Sequence, residues 1–254
     1  MSRATANHVG LLAALLLMPV GFLLLGLTGG LAFPLGLAGI AVAQFAGLAL
    51  PAWLAARAAG PPRQVLGLVR PPARALAGAA LIAVSYWYLA ALLLLPLVSD
   101  LVTKREKDLL EQQFIGADPL ALKIVVLALV PAVCEELLVR GAIARGLRPR
   151  AGAVAAAIIS SAYFALLHFS IARLPITFLF GMVLAVAVFR SGSLLPAMLI
   201  HAGNNTAAIL ISQPGMAGAK EFLGEWSAFL LPVAGLATGI GLVAVWQSAR
   251  NAPT

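Results

Sequence analysis

Apolar residues dominate eight blocks of this chain, 9–28, 31–55, 74–99, 120–146, 152–171, 174–190, 194–212 and 228–247, with short polar stretches between them. Roughly 20 mostly apolar residues suffice for a helix to cross a bilayer. The pattern predicts an all-α, polytopic integral membrane protein with about eight transmembrane helices, forming a single membrane domain over 1–254. The first block is too long for a signal-peptide core and has only Arg3 ahead of it, so it reads as a retained helix. Pro51, Pro96, Pro131 and Pro196 fall within or at the ends of blocks, where neighbouring helices must satisfy the carbonyls that proline frees. The one long polar connection, 100–118 (DLVTKREKDLLEQQFIGAD), places Leu101, Leu109, Leu110 and Phe114 at a weak amphipathic period. An interfacial helix and a solvated loop with salt-bridged turns both fit it.

Composition agrees. The 254 residues are 62% hydrophobic and 10% charged, against about 25% charged in soluble domains, and mean hydropathy is +1.01. A formal net charge of +8 would suit nucleic acid, but the basic residues punctuate apolar runs, which suits loops beside anionic headgroups. The expected partner is therefore the lipid bilayer and not nucleic acid. A single cysteine, Cys134, excludes an internal disulfide.

Eight spans put both termini and alternate loops on one side. That side collects ten of the 17 Lys and Arg residues, the other six, with Arg140 left inside a span. The basic excess makes the termini cytoplasmic, as in a protein of the bacterial inner membrane. Seven of the nine acids lie in the two loops assigned outside; Glu135 and Glu136 are the exceptions.

Those exceptions matter, because an ionisable group at the centre of a span costs on the order of 2.5–3.5 kcal/mol and usually marks a functional site. Glu136 and Arg140 are four apart on the fourth span, acid first, the better orientation for pairing. Glu135 is rotated about 100° away, leaving it free to face a cavity and act as a general base on water. A buried ion-pair cluster tying helices together is the plainer alternative. His168 ends YFALLH on the fifth span, with Phe164 one turn earlier. Counted from the basic turn at Arg148, Pro149 and Arg150, Glu135 lies about 12 residues deep and His168 about 16, a depth difference of roughly 6 Å at 1.5 Å per residue. The two can meet over one water.

His201 and Asn205 are four apart on the seventh span, and an imidazole N–H and an amide NH₂ suit an oxyanion hole. Asn204 competes on another face, and a polar contact between helices explains these residues equally simply. A general base, a water-positioning imidazole and two donors are the parts needed for amide hydrolysis without a covalent intermediate. Zinc is the cofactor considered and not favoured, since H-E-x-x-H is absent and the histidines fall on different helices. Ser160 and Ser161 lie outside any G-x-S-x-G elbow and read as helix-packing residues.

Glu135-Glu136-x-x-x-Arg140, Phe164-x-x-x-His168 and His201-x-x-x-Asn205, in this order, resemble the three motifs of the CAAX-protease and bacteriocin-processing family, also called the Abi or type II CAAX prenyl endopeptidase family. The resemblance covers about 120–212. It implies an intramembrane, glutamate-dependent endopeptidase whose active site lies between the fourth, fifth and seventh helices. Glu135 and His168 would activate the attacking water, and His201 and Asn205 would hold the oxyanion. Glu136, Arg140 and Phe164 would support the site. The implied substrate is a protein or lipid-modified peptide cut near the membrane, in a C-terminal or leader segment. Two rivals remain: a non-catalytic scaffold or immunity protein of the same fold, and a transporter, for which the sequence lacks the expected internal symmetry. Oligomeric state is not legible.

Overall fold

A computed structural model describes residues 8–248; Arg3 and Arg250, both counted in the charge bias, lie outside this range. The described chain is helical throughout, with no strand. Five helices are long and apolar enough to cross a membrane: α1 (Leu11–Leu35), α2 (Leu37–Ala59), α3 (Ala73–Leu101), α7 (Leu174–Ser191) and α10 (Ser227–Gln247). Between them run α4 (Lys104–Ile115), α5 (residues 120–151) and α6 (residues 153–166), α8 (Leu195–Ser212) and α9 (Ala217–Glu225). The protein is an all-α, multi-spanning integral membrane protein.

Three of the helices that fall short of a spanning helix's length or hydropathy carry most of the candidate chemistry. Helices α5, α6 and α8 hold Glu135, Glu136, Arg140, Phe164, His201 and both asparagines. The residues from Leu137 to Ala144 are all buried, and their neighbours supply the apolar surroundings. Leu138, Ile143, Leu184, Leu194 and Ile200 are fully enclosed, whereas Leu12, Leu31, Val84 and Leu97 on α1 and α3 face outward. In lipid such an arrangement costs nothing, because the surroundings of an outward leucine are as apolar as a core. Close approach of backbones then carries helix association: a Cβ on Gly78 of α3 would lie 2.5 Å from the Gly241 carbonyl of α10.

Three boundaries differ from the hydropathy pattern. The second helix begins at Leu37 rather than 31, because Gly36, at φ 56°, turns the chain after Pro34. The turn between α5 and α6 falls at Gly152, at φ 80°, and not at Arg148-Pro149-Arg150, which continue the preceding helix. Glycine populates that left-handed conformation without the steric cost a side chain would bring. The fifth helix stops at Leu166 instead of 171, so His168 sits in the following turn. The connection 100–118 forms a helix, α4, opened by a capping box in which Thr103 and Glu106 exchange hydrogen bonds.

Helix α5 is not uniform. Val125–Leu129 and Leu137–Ala144 are π-helical turns within it, a form that recurs at functional sites. The second begins directly after Glu136. Its wider turn brings residues four apart closer to alignment than an α-helix does.

Candidate active site

Glu136 and Arg140 pair as the i,i+4 spacing requires: Arg140 Nη1 donates to Glu136 Oε1 at 2.9 Å, with both side chains fully buried. Desolvating two charges is expensive unless further contacts complete them. Arg140 Nη2 donates to the Gly181 carbonyl on α7 at 3.2 Å, and its guanidinium lies 4.2 Å over the Phe164 ring. Glycine at 181 makes this possible, since a Cβ there would meet Arg140 Nη2 at 3.0 Å and Ser161 Cβ at 2.9 Å.

His201 on α8 places Nδ1 3.0 Å from the same Glu136 oxygen. The opposite ring nitrogen, Nε2, lies 3.8 Å from Glu135 Oε2. Glu136 thus orients the imidazole, and the imidazole turns its second nitrogen towards Glu135. Phe164 and Phe180 meet the His201 ring edge to face, at centroid distances of 5.6 and 5.5 Å, which fixes its plane. With Nδ1–H given to Glu136, Nε2 donates a hydrogen bond only when the ring carries both protons.

Glu135 has the partner that its own helix could not supply. Gln44 Nε2, on α2, donates to Glu135 Oε1 at 2.8 Å with both residues buried. Glu135 Oε2 is buried without a hydrogen-bond partner, as is Gln44 Oε1. Both residues line a cavity of about 920 Å³ that also takes in His168, His201, Asn205 and Arg173. Glu136 Oε2 is unpartnered as well, but Glu136 does not line the cavity.

His168 is half-buried in the turn after α6, and its Nδ1 lies 3.0 Å from the Phe164 carbonyl. Donation from Nδ1–H leaves Nε2 as the basic nitrogen of the neutral ring. Asn205 lines the cavity and Asn204 does not; Asn204 Nδ2 instead donates to Asn205 Oδ1 at 3.3 Å. One N–H of Asn205 donates to the Leu127 carbonyl at 3.3 Å. Asn205 thereby ties α8 to the first π-helical turn of α5.

Glu135, His168, His201 and Asn205 line the cavity, and Glu136, Arg140 and Phe164 make contact with one another and with His201 beside it. Gln44 was not legible in the sequence: a lone amide in the apolar block 31–55 carries no periodic signal, and its partner is 91 positions away. Arg173, counted among loop charges, lies on the cavity wall. Ser160 donates to the Ala157 carbonyl, and Ser161 packs against Gly181. Among the described residues no group of three His, Cys, Asp or Glu side chains is arranged to hold a metal ion.

Fold and site together define a polytopic α-helical membrane protein with a buried cluster of two glutamates and a histidine beside a cavity. Residues 117–207 match the family model "Type II CAAX prenyl endopeptidase Rce1-like", a stretch that contains all three motifs and excludes Gln44. No curated protein and no solved structure matches the chain. The Glu135–Glu136–His201 cluster and the family match support a glutamate- and histidine-dependent hydrolytic mechanism within the membrane, and with it a catalytic, protease-like role.

Proposed function

We propose that the protein is an intramembrane endopeptidase that hydrolyses a peptide bond at or near the membrane, in a C-terminal or leader segment of a substrate protein. The chain acts as a single membrane domain of eight spans with both termini cytoplasmic, and the reaction takes place between the fourth, fifth and seventh of them. The substrate is a membrane-embedded protein or a lipid-modified peptide.

One observation carries this reading. The Glu135 carboxylate is held by one oxygen, while the other, buried and unpartnered, belongs to a residue on the wall of the cavity shared by His168, His201 and Asn205. In the reaction Glu135 Oε2 removes a proton from water as His168 Nε2 accepts the water's second hydrogen bond. Hydroxide adds to the carbonyl carbon of the scissile amide. The oxyanion is met by an Asn205 N–H and by His201 Nε2–H in the doubly protonated ring. The proton on Glu135 passes to the departing amine as the C–N bond breaks, which restores the carboxylate. Glu136 and Arg140 hold His201 in register, and Phe164 packs against both histidines.

Mass spectrometry of membrane-protein termini, in cells carrying the wild type or Glu135→Ala, tests this. A processed species missing only from the variant is expected, and it identifies the substrate. Identical termini in both, with the variant present in the membrane at normal level, would overturn the protease reading in favour of a scaffold.

A further inference from the structure

Gln44 is the only described side chain that hydrogen-bonds Glu135. It is 8% exposed, against 7% for Glu135, and a buried amide that reaches a buried carboxylate at 2.8 Å is a charge-assisted contact about twice as strong as a neutral one. Its helix, α2, is otherwise apolar up to Arg57 in its last turn. The residue after Gln44 opens a π-helical turn, Phe45–Ala49, and Phe45 points outward while Gln44 and Leu48 point in. An inward amide on such a helix costs free energy unless it is paired. Leucine in its place would bury more apolar surface and leave Glu135 ungripped.

We infer that Gln44 is a positioning residue for hydrolysis: by donating to Glu135 Oε1 it fixes the carboxylate rotamer that turns Oε2 towards the cavity. It lies outside the stretch matched by the family, so the catalytic motifs of α5, α6 and α8 depend on a contact from a fourth helix. The amide suits this task better than a carboxylate or a cation. It donates without carrying a charge, so it orients Glu135 without neutralising the base. His201, Glu136 and Arg140 surround Glu135 from α8 and α5, and His168 and Arg173 line the cavity from the α6–α7 turn; none of them hydrogen-bonds Oε1.

The inference rests on the protease reading, and the test separates the two. Purified full-length protein is assayed on a synthetic peptide spanning the site identified by terminal mass spectrometry, with Glu135→Ala, Gln44→Met and Gln44→Glu run beside the wild type. Gln44→Met keeps volume and removes the donor; turnover should fall about a hundredfold, the cost of a misplaced reacting group, with KM unchanged. Gln44→Glu sets two carboxylates at hydrogen-bond distance, which share one proton. The protonated carboxyl replaces the amide as donor at low pH, so activity should return there and be lost as pH rises, moving the alkaline limb to lower pH than in the wild type. Wild-type turnover and pH profile in both Gln44 variants, with Glu135→Ala inactive, would overturn the inference and leave the protease reading intact. Equal rates in wild type and Glu135→Ala would instead remove the protease reading. A Gln44→Met protein that failed to insert would still leave the pH profile of Gln44→Glu to decide.

Discussion

At the scale of single residues, the site is a chain of partners in which each charge is fixed by something outside its own helix. Arg140 answers to Glu136, a carbonyl on α7 and an aromatic ring from α6. Glu136 holds His201, and Gln44 holds Glu135. Asn205 belongs to two accounts at once, because it lines the cavity and also donates to the Leu127 carbonyl on α5. Two substitutions separate these roles. Asn205→Leu should destabilise the protein by about 1–3 kcal/mol, the cost of a buried acceptor left unsatisfied, measured by thermal unfolding in detergent. Asn205→Gln keeps a donor for that carbonyl and should recover much of that loss. If Asn205 also binds the oxyanion, the displaced amide of the Gln variant leaves it inactive; recovery of activity along with stability would reduce Asn205 to a structural role.

At the scale of elements, α4 is the most informative, because it is polar, lies outside the apolar spans and contributes Leu109, Leu110, Gln112, Gln113 and Phe114 to the cavity wall. Its start is fixed electrostatically. The Ser170 hydroxyl, the Thr103 backbone N–H and hydroxyl, and the nearby Arg173 charge hold the Glu106 carboxyl down at about 2, against an ordinary 4.5. A depressed carboxyl contributes stability that is fully present above its ordinary value and is lost as pH falls from there through about 2. Hydrogen-exchange protection of residues 104–115 should accordingly be flat from neutral pH to about 5 and decline below it, after correction for intrinsic exchange. Thr103→Ala removes the cap, worth about 1 kcal/mol, and should cut that protection roughly fivefold at neutral pH; unchanged protection would mean that packing alone orders α4. Ser170 and Arg173 lie in the turn that carries His168, so the Glu106 contacts join the start of α4 to the turn holding a candidate catalytic group.

At the scale of the whole molecule, the cavity lining takes in Gly36, Asp118 and Arg173 from three connections, which an eight-span topology would put on one side of the membrane. The same topology would put the loop at 60–72 and the Gly152 turn on the other side. Eight spans require single cysteines introduced at 104–118 and 217–225 to react with an impermeant thiol reagent from one side, and those at 60–72 and near 152 from the other. Cys134 is fully buried and should stay silent as background. Labelling that failed to divide this way would refute the eight-span topology. Labelling from the cytoplasm at 60–72 would confirm the orientation drawn from the basic residues.

The sequence by itself determined the helical membrane class, because hydropathy is summed over some 20 residues and survives ignorance of the neighbours. It determined the Glu136–Arg140 pair for a similar reason, since residues four apart on one helix meet whatever the rest of the chain does. It also brought Glu135, Phe164, His168, His201 and Asn205 to notice, because polar groups within apolar runs are costly. Only the tertiary structure decided which of these touch. It set His201 against Glu136 rather than leaving both its nitrogens for substrate, preferred Asn205 to Asn204 at the cavity, moved His168 from a helix into a turn, and brought Gln44 across 91 positions to Glu135. Each of these depends on how helices rotate and approach one another, which is set by packing of small residues and satisfaction of buried polar groups, and neither is written in the local pattern of any one segment.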